Sequence, residues 1–375
     1  MSRGRLAALW LASFAFFFSF FLLLGMLPLY IRDLGASDGA IGIIIGCFAL
    51  TSMVLRPWTG WGADRWGRRP FMLAGAVVFL VAPLGYALSA GVRALVTVRL
   101  LHGAGMALFP TAATALVADV APPERRGEFL GLFGAAGSIA MALGPITGVG
   151  LVAHGGFPVL FAAAALTALV ALALTTATRE TLAAPSSRPF TPASTLSVPA
   201  LGPSLVMGCL MLTYGALVTF LPLHAQHVGV NPGIFFLVYA LTLTLARGPA
   251  GRLSDRRGRA PVAAAGLAVA ATALAVLAVS EGALALAVVG ALYGLGGGAA
   301  QPALVAWCVD RVAPADRGRA MGTFFTALEL AIAIGAMSSG LAVARWGFAA
   351  TFLAIAGVAL VGAVIALLGP RLRTG

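Results

Sequence analysis

The chain has 375 residues, of which 60% are hydrophobic and 10% charged. A soluble domain carries about 25% charged residues, so this composition excludes a water-covered globular surface and predicts a polytopic membrane protein. All 24 basic residues are arginine, which excludes lysine chemistry such as an ATP-binding P-loop or a Schiff base. The net charge of +12 would also fit nucleic-acid binding, but the basic residues lie between apolar segments. Positive-inside topology explains that pattern better, so no nucleic-acid partner is expected.

Apolar segments separated by short polar loops predict an all-α membrane protein with twelve transmembrane helices. The first set covers about 6–31, 39–63, 71–91, 93–119, 127–152 and 155–177, and the second about 203–223, 231–254, 260–280, 282–310, 318–345 and 347–368. Residues 178–202 are rich in Pro, Ser and Thr and form the longest polar stretch. They predict a cytoplasmic linker between an N-terminal six-helix bundle, 1–177, and a C-terminal one, 203–375.

The arginines predict the orientation of these helices. With both termini in the cytoplasm, 18 of the 24 arginines fall in cytoplasmic segments and three at outer helix ends. The positive-inside rule favours this arrangement. The first apolar segment resembles a signal peptide, but it is too long for a signal-peptide core and predicts a spanning helix. We therefore expect an integral protein of a bacterial inner membrane, surrounded by lipid, with cytoplasmic termini.

A charged loop occurs twice, 191 residues apart. The copy at 60–69 reads GWGADRWGRR, and the copy at 251–259 reads GRLSDRRGR. The same offset relates Arg56 to Arg247 and Asp119 to Asp310, without an insertion over five consecutive segments. Such a repeat predicts two homologous halves in parallel orientation, related by an axis along the membrane normal.

The loop Gly-x-x-x-Asp-Arg-x-Gly-Arg-Arg between helices 2 and 3 resembles the signature of the major facilitator superfamily. The resemblance implies that each loop latches the halves on the cytoplasmic side, with its Asp facing a helix N-terminus and an Arg pairing with the acid that ends helix 4. The implied cytoplasmic gate consists of Asp64, Arg65, Arg68, Asp119, Asp255, Arg256, Arg259 and Asp310. The symmetry of Arg56 and Arg247, near the loops, adds them to the gate. Gly62 replaces the usual Leu of the family, which predicts looser packing of the first loop.

The fourth helix carries a charged motif, Arg99-Leu-Leu-His102-Gly-Ala-Gly, which is similar to the family's Arg-x-x-Gln-Gly-x-Gly. In proton-coupled members this Arg is linked to proton or substrate movement. An Arg inside a span costs about 2.5–3.5 kcal/mol, so Arg99 should face a cavity or a partner. Alternatively, Arg99 snorkels to the interface. His102 could titrate near neutral pH, or it could be a hydrogen-bonded packing residue.

The fifth helix contains Gly144-Pro145-Ile-Thr-Gly148-Val-Gly, which resembles the antiporter motif of twelve-helix drug/proton exporters. Val149 and Ala140 replace two glycines of that motif. We expect Gly144, Pro145 and Gly148 to serve export through close packing and a bend. The alternative is the glycine-mediated packing that membrane helices use generally.

Glu329 is the one acid that the predicted boundaries leave near the middle of a helix. It could load and release a proton, bind a cationic substrate, or form a structural pair with an Arg. By analogy with the family, Tyr214, Tyr293 and Gln301 are expected to line a substrate cavity.

The sequence contains no nucleophile–base set and no nucleotide-binding domain, so we expect neither an enzyme nor a cofactor. The glycine run 294–299 matches a dinucleotide-binding pattern, but no strand precedes it. His224 and His227 lie three residues apart without a nearby carboxylate or thiol in the sequence, so no metal site is expected.

Together these features predict a monomeric secondary active transporter. It would export a small amphipathic or cationic molecule in exchange for protons, by alternating access. The alternatives are a proton-coupled importer of a sugar, an organic acid or another metabolite, and a membrane sensor or scaffold that transports nothing.

Overall fold

The structure, a computed structural model, describes residues 3–122, 126–182, 196–313 and 317–368. Over these residues it contains eleven α-helices, a 3-10 turn at Val198–Ala200 and no strand. The helices are α1 Arg3–Leu24, α2 Leu27–Asp33, α3 Asp38–Trp66, α4 Arg68–Ala87, α5 Val92–Val120, α6 Arg126–Thr176, α7 Leu201–His227, α8 Gly233–Arg257, α9 Arg259–Val279, α10 Ala283–Asp310 and α11 Arg317–Leu368. The all-α prediction is confirmed for this part of the chain.

Two of these helices are interrupted by a glycine. In α6 the backbone leaves the helical region at Gly156, with φ 71° and ψ −173°. In α11 it does so at Gly347, with φ 78° and ψ 178°. Glycine reaches such positive φ values at little cost because it lacks a Cβ atom. Each element therefore contains two helical stretches, and the predicted number of twelve separate helices stays a prediction.

The predicted first helix, 6–31, is wrong in its extent. It ends at Leu24, and the short helix α2 begins at Leu27. Pro28 lies at the start of α2, where the missing backbone N–H of proline is tolerated, whereas inside a continuous helix it would remove a hydrogen bond. Over the described residues, ten helices are long and apolar enough to cross a bilayer.

The structure divides into two compact units. The first consists of the described residues of 1–34 and 47–190, and the second of those of 35–46 and 191–375. The predicted boundaries at 177 and 203 stay a prediction, and residues 183–195 of the predicted linker lie outside the described residues. The first twelve residues after Leu34 group with the second unit.

The core of the first unit is aromatic. The Phe16 ring on α1 stacks against the rings of Phe79 on α4 and Phe109 on α5, at centroid distances of 3.7 Å and 4.2 Å. Helices α3 and α5 approach closely at Gly103, where an added Cβ atom would lie 2.3 Å from the carbonyl oxygen of Phe48. This packing encloses the middle of α5, which carries Arg99 and His102.

The second unit is built around α10 and α11. Helix α10 packs against α8 and α9, and α11 packs against α7 and α9. The contact of α7 with α11 is close because Gly335 lies against the backbone of α7. A Cβ atom there would lie 2.0 Å from the carbonyl oxygen of Leu212. Small residues permit this approach, which strengthens dispersion contacts between membrane helices.

Candidate functional site

The first charged loop joins the ends of three helices through Arg68. Its Nη1 atom lies 2.5 Å from Oδ1 of Asp64, at the end of α3, and its Nε atom lies 3.2 Å from Oδ2 of Asp119, at the end of α5. Arg68 is 8% exposed. Charge-assisted bonds of a fork-shaped guanidinium to two carboxylates fix the relative positions of these helix ends.

The second charged loop repeats this arrangement in the second unit. Nη1 of Arg259 forms an ion pair with Asp255, and Nε lies 3.1 Å from Oδ2 of Asp310. Nη1 of Arg259 also donates to the Ser254 hydroxyl, at 2.9 Å. The structure thus brings together the predicted Asp–Arg–Asp set within each unit.

The other four predicted gate residues lie outside these two sets. The Arg65 guanidinium lies 5.5 Å from the centroid of the Trp61 ring, and Arg256 is exposed at the end of α8. Arg56 lies inside α3, about two turns before Asp64. Arg247 lies inside α8, where its Nη2 donates to Oε1 of Gln301 at 3.3 Å.

Glu180 caps the helix that follows the first loop, a role that no motif in the sequence predicts. Its carboxylate accepts backbone N–H groups of Arg68, Arg69, Thr181 and Leu182, at 2.9 to 3.0 Å. Burial by itself would raise the pKa of the Glu180 carboxyl, but these four N–H groups outweigh it and hold the pKa below its usual value. A carboxylate at the start of α4 also interacts favourably with the helix dipole.

The end of α6 and the residues that follow it are hydrogen bonded to the first charged loop and to its partner Asp119. The Thr181 hydroxyl donates to Oδ2 of Asp119 at 3.0 Å, and Arg69 donates to the carbonyl oxygen of Thr176 at 2.9 Å. The predicted linker at 178–202 therefore begins with residues that are bonded to the charged loop.

Gly62 does not loosen the first loop, contrary to the prediction. The Phe71 ring occupies the space beside it, and a Cβ atom on Gly62 would lie 2.4 Å from Cζ of that ring. An aromatic side chain from α4 thus fills the volume that the usual leucine of the family would require.

A buried polar cluster lies in the first unit between α4 and α5. Nδ1 of His102 lies 3.1 Å from the Tyr86 hydroxyl, and Nη1 of Arg99 lies 3.5 Å from the same hydroxyl. Arg99 is 4% exposed, and His102 and Tyr86 are fully buried. The burial excludes snorkelling of Arg99 to the interface.

Aromatic rings surround this cluster. The Arg99 guanidinium lies 4.5 Å from the centroid of the Phe48 ring, a cation–π geometry. The His102 ring lies edge-on to Phe79, with centroids 4.3 Å apart, and to Phe48, at 5.3 Å. Nε of Arg99 and Nε2 of His102 are buried and have no hydrogen-bond partner. A cationic group and an imidazole are therefore held in an apolar enclosure, linked through one phenol.

Glu329 is buried in the second unit. It is 7% exposed and lies twelve residues after the start of α11, about 18 Å along the helix. The predicted position near the middle of a helical stretch agrees with this location, since the stretch continues to the break at Gly347.

The predicted cavity residues lie in different environments. Tyr293 is 2% exposed, and its hydroxyl is hydrogen bonded to the Thr213 hydroxyl at 2.7 Å, so its place in a cavity wall stays a prediction. Tyr214 is half-buried, with its ring 6.1 Å from that of Tyr239. Gln301 lines a cavity of about 490 Å³ in the second unit.

The glycines of the predicted antiporter motif pack α6 onto α1. A Cβ atom on Gly148 would lie 2.3 Å from the carbonyl oxygen of Leu22, and one on Gly144 would lie 2.5 Å from Cβ of Phe21. Pro145 is buried beside them. The motif therefore has a packing role in this structure, as the alternative interpretation also required.

The family model described as Major Facilitator Superfamily matches residues 9–238 and 204–374. The quinolone resistance protein NorA of Staphylococcus aureus (strain MRSA252) is 28% identical over 132 residues, 35% of this chain and 34% of NorA. The staphylopine export protein of Staphylococcus aureus (strain Mu50 / ATCC 700699) is 28% identical over 258 residues, 64% of this chain and 63% of that protein. The chain thus matches about a third of the length of NorA.

Solved transporter structures share the fold. The peptide transporter POT has a TM-score of 0.80 at 19% identity, covering 98% of this chain and 94% of that chain. The nucleoside transporter NupG has a TM-score of 0.79 at 16% identity, covering 97% and 99%. A bacterial homologue of the lysosomal transporter Spinster has a TM-score of 0.80 at 17% identity, covering 99% and 98%. At these identities the similarity establishes the fold.

Proposed function

We propose, because this chain belongs to the major facilitator superfamily and is an integral membrane transporter, that it exports a small amphipathic or cationic molecule in exchange for protons. It works as a monomer by alternating access in a bacterial inner membrane, with both termini in the cytoplasm. The breaks at Gly156 and Gly347 support twelve spans in two six-helix bundles, because each divides a long element into two stretches.

The buried Arg99–Tyr86–His102 cluster carries this proposal. Ionisable groups inside a membrane are costly and mark ion or proton pathways. The Tyr86 hydroxyl lies within 3.5 Å of both Arg99 and His102, so the phenol connects a fixed positive charge to an imidazole that can gain or lose a proton. At this short distance the positive charge of the Arg99 guanidinium opposes protonation of the His102 imidazole, so the two groups influence each other electrostatically.

Glu329 is the proposed proton carrier of the second unit. Its carboxyl is 7% exposed within a membrane helix, so gain or loss of a proton there changes the charge of a buried site. Such a change alters the relative stability of two conformations, which is how a proton gradient drives alternating access.

Two observations support export as the direction. NorA and the staphylopine export protein, which are similar to this chain, are named for resistance and export. The Gly144-Pro145 sequence on α6 resembles the antiporter motif, and its glycines place α6 directly against α1. The two Asp–Arg–Asp sets are proposed to hold the cytoplasmic ends of the helices during the transport cycle.

The proposal is tested with purified protein in proteoliposomes, under an imposed pH gradient and with a panel of cationic dyes, sugars and organic acids. We expect movement of a dye against its gradient when protons flow in the opposite direction. Glu329→Gln should abolish gradient-driven movement but retain exchange of dye for dye, which needs no net proton transfer. Glu281→Gln, which alters an exposed acid, is the matched control and should behave as the wild type.

Accumulation of a sugar or an organic acid together with protons would contradict export and identify an importer. Failure of the wild-type protein to move any compound of the panel would contradict transport. Normal gradient-driven movement by the Glu329→Gln variant would remove Glu329 from the proton pathway.

A further inference from the structure

The second unit contains a cavity whose wall combines a guanidinium, an amide and an apolar surface. The cavity measures about 490 Å³, within the range of small-molecule sites. Arg247 of α8 and two residues of α10, Gln301 and Asp310, provide its polar side chains, and Pro302 and Val305 are among its apolar ones.

Gln301 is hydrogen bonded to the guanidinium in this wall. Nη2 of Arg247 donates to Oε1 of Gln301 at 3.3 Å, so the guanidinium and the amide are neighbours in this wall. Asp310, the acid in this wall, forms an ion pair with Arg259, with Oδ2 of Asp310 3.1 Å from Nε of Arg259. A planar guanidinium with five donors beside an amide is suited to bind a carboxylate through two parallel hydrogen bonds.

The sequence repeat distinguishes the Arg247–Gln301 pair from the two Asp–Arg–Asp sets. The Asp–Arg–Asp sets occur in both units, as a shared structural task requires. Arg247 has a counterpart in Arg56, but the counterpart of Gln301 is Pro110, which has no side-chain donor or acceptor. A polar pair present in only one half indicates a task that the repeated loops do not perform.

We propose that Arg247 and Gln301 bind a carboxylate group of the cargo, while the apolar wall contacts its hydrophobic body. The cargo is then an amphipathic acid or zwitterion and not a simple cation. This inference rests on the proposed transport function, and it specifies the class of substrate within it.

The test compares two dyes that differ in one group: a rhodamine with a free carboxyl group and its methyl ester. Binding to the full-length purified protein is measured by fluorescence polarisation, and export is measured separately in proteoliposomes. We expect Arg247→Gln to weaken binding of the carboxylate dye about tenfold or more, the loss typical of a charge-assisted hydrogen bond, and to change binding of the ester less than about twofold. Arg252→Gln, which removes an exposed charge from the same helix, is the matched control and should bind both dyes normally.

Gln301→Glu provides a second variant that keeps the size of the side chain. Its carboxylate would pair with Arg247 internally, so the carboxylate dye should lose affinity while the ester binds as well as before or better. Equal weakening of both dyes by the Arg247→Gln variant, or wild-type binding without preference between the dyes, overturns the inference. Export of the ester alone would contradict the carboxylate site but not the export function. Binding of the carboxylate dye without its export would contradict the export function but not the carboxylate site.

Discussion

The carboxylate of Glu180 links two regions of the chain that are far apart in sequence. It accepts the N–H groups of Arg68 and Arg69, at the first turn of α4, from a position just after α6. Arg68 in turn contacts Asp64 and Asp119. A single carboxylate therefore positions the guanidinium on which the first charged loop depends. Gly67 is needed beside it, since a Cβ atom there would lie 2.4 Å from Oε2 of Glu180.

Replacing Glu180 by Ala should lower the free energy of unfolding by about 0.5–2 kcal/mol, the usual cost of losing an N-terminal cap. The lower end is expected, because Glu180 is exposed and solvent screens its interactions. Thermal unfolding in detergent measures the effect, with Asp33→Ala, at another exposed acid, as the control. An unchanged unfolding temperature would contradict the capping role.

The same variant should remove a pH dependence. The folded state lowers the pKa of Glu180, so its stabilisation is fully present above the unfolded pKa of about 4.3 and is lost as the pH falls through the folded value. The difference in unfolding temperature between the wild type and Glu180→Ala should therefore shrink as the pH is lowered below about 4. A difference that stays constant from neutral to acidic pH would exclude the carboxylate as its source.

The Tyr86 hydroxyl is the group that joins Arg99 to His102. Tyr86→Phe should destabilise the protein by about 1–3 kcal/mol, because it leaves a buried imidazole and guanidinium without that partner. Tyr293→Phe is the matched control, since it removes a buried hydroxyl bonded to Thr213 in the second unit. Both variants should unfold more easily, but only Tyr86→Phe should reduce gradient-driven transport in proteoliposomes. Equal transport by the two variants would separate the Tyr86 cluster from proton coupling.

At the scale of helices, glycine spacing determines how closely α6 approaches α1. Gly148 faces the backbone of α1, whereas at Gly150, two residues later on the same helix, an added Cβ atom would have no neighbouring atom within 4 Å. Close packing of this kind tolerates no added volume, since protein interiors are filled to crystal density. The motif that resembles an exporter signature is therefore also a structural contact, and the two roles can be separated by experiment.

Gly148→Ala should destabilise the protein by about 1–3 kcal/mol, the usual cost of overpacking. Gly150→Ala is the control on the same helix and should be neutral or stabilising by about 0.5–1 kcal/mol, because Ala is the better helix former. Thermal unfolding of both variants measures the difference. Equal effects would show that α6 can move away from Leu22 at little cost.

At the scale of the whole molecule, the chain is a duplicated structure with similar chemistry in each unit. The Asp–Arg–Asp sets recur, and so do the interruptions at Gly156 and Gly347, which are separated by the same 191-residue offset. The duplication is incomplete, because the Arg99–Tyr86–His102 cluster lies in the first unit and Glu329 in the second. The two halves thus share their frame and differ in the buried titratable groups that the proposed mechanism uses.

Much of this architecture could be predicted because its signals are local. Hydropathy located the spans, since about 20 apolar residues are needed to cross a bilayer, and the repeat located both charged loops. Contacts that depend on the folded structure leave no such pattern in the sequence. No periodicity relates Glu180 to Arg69, and nothing near Gly62 showed that the Phe71 ring would replace the missing leucine. The hydrogen bond between Tyr293 and Thr213 left no signal either, because the two residues lie 80 positions apart.

Composition, charge bias and the 191-residue offset were enough to predict a helical membrane protein with two related halves, because each depends on residue types and on spacing along the chain. The environment of each side chain emerged only in the folded molecule. Arg99 could have reached the interface or been enclosed, and the packing of α3, α4 and α5 around it enclosed it. The energetic cost of burying a charge depends on what surrounds it in three dimensions, and the order of residues in one helix does not contain that information.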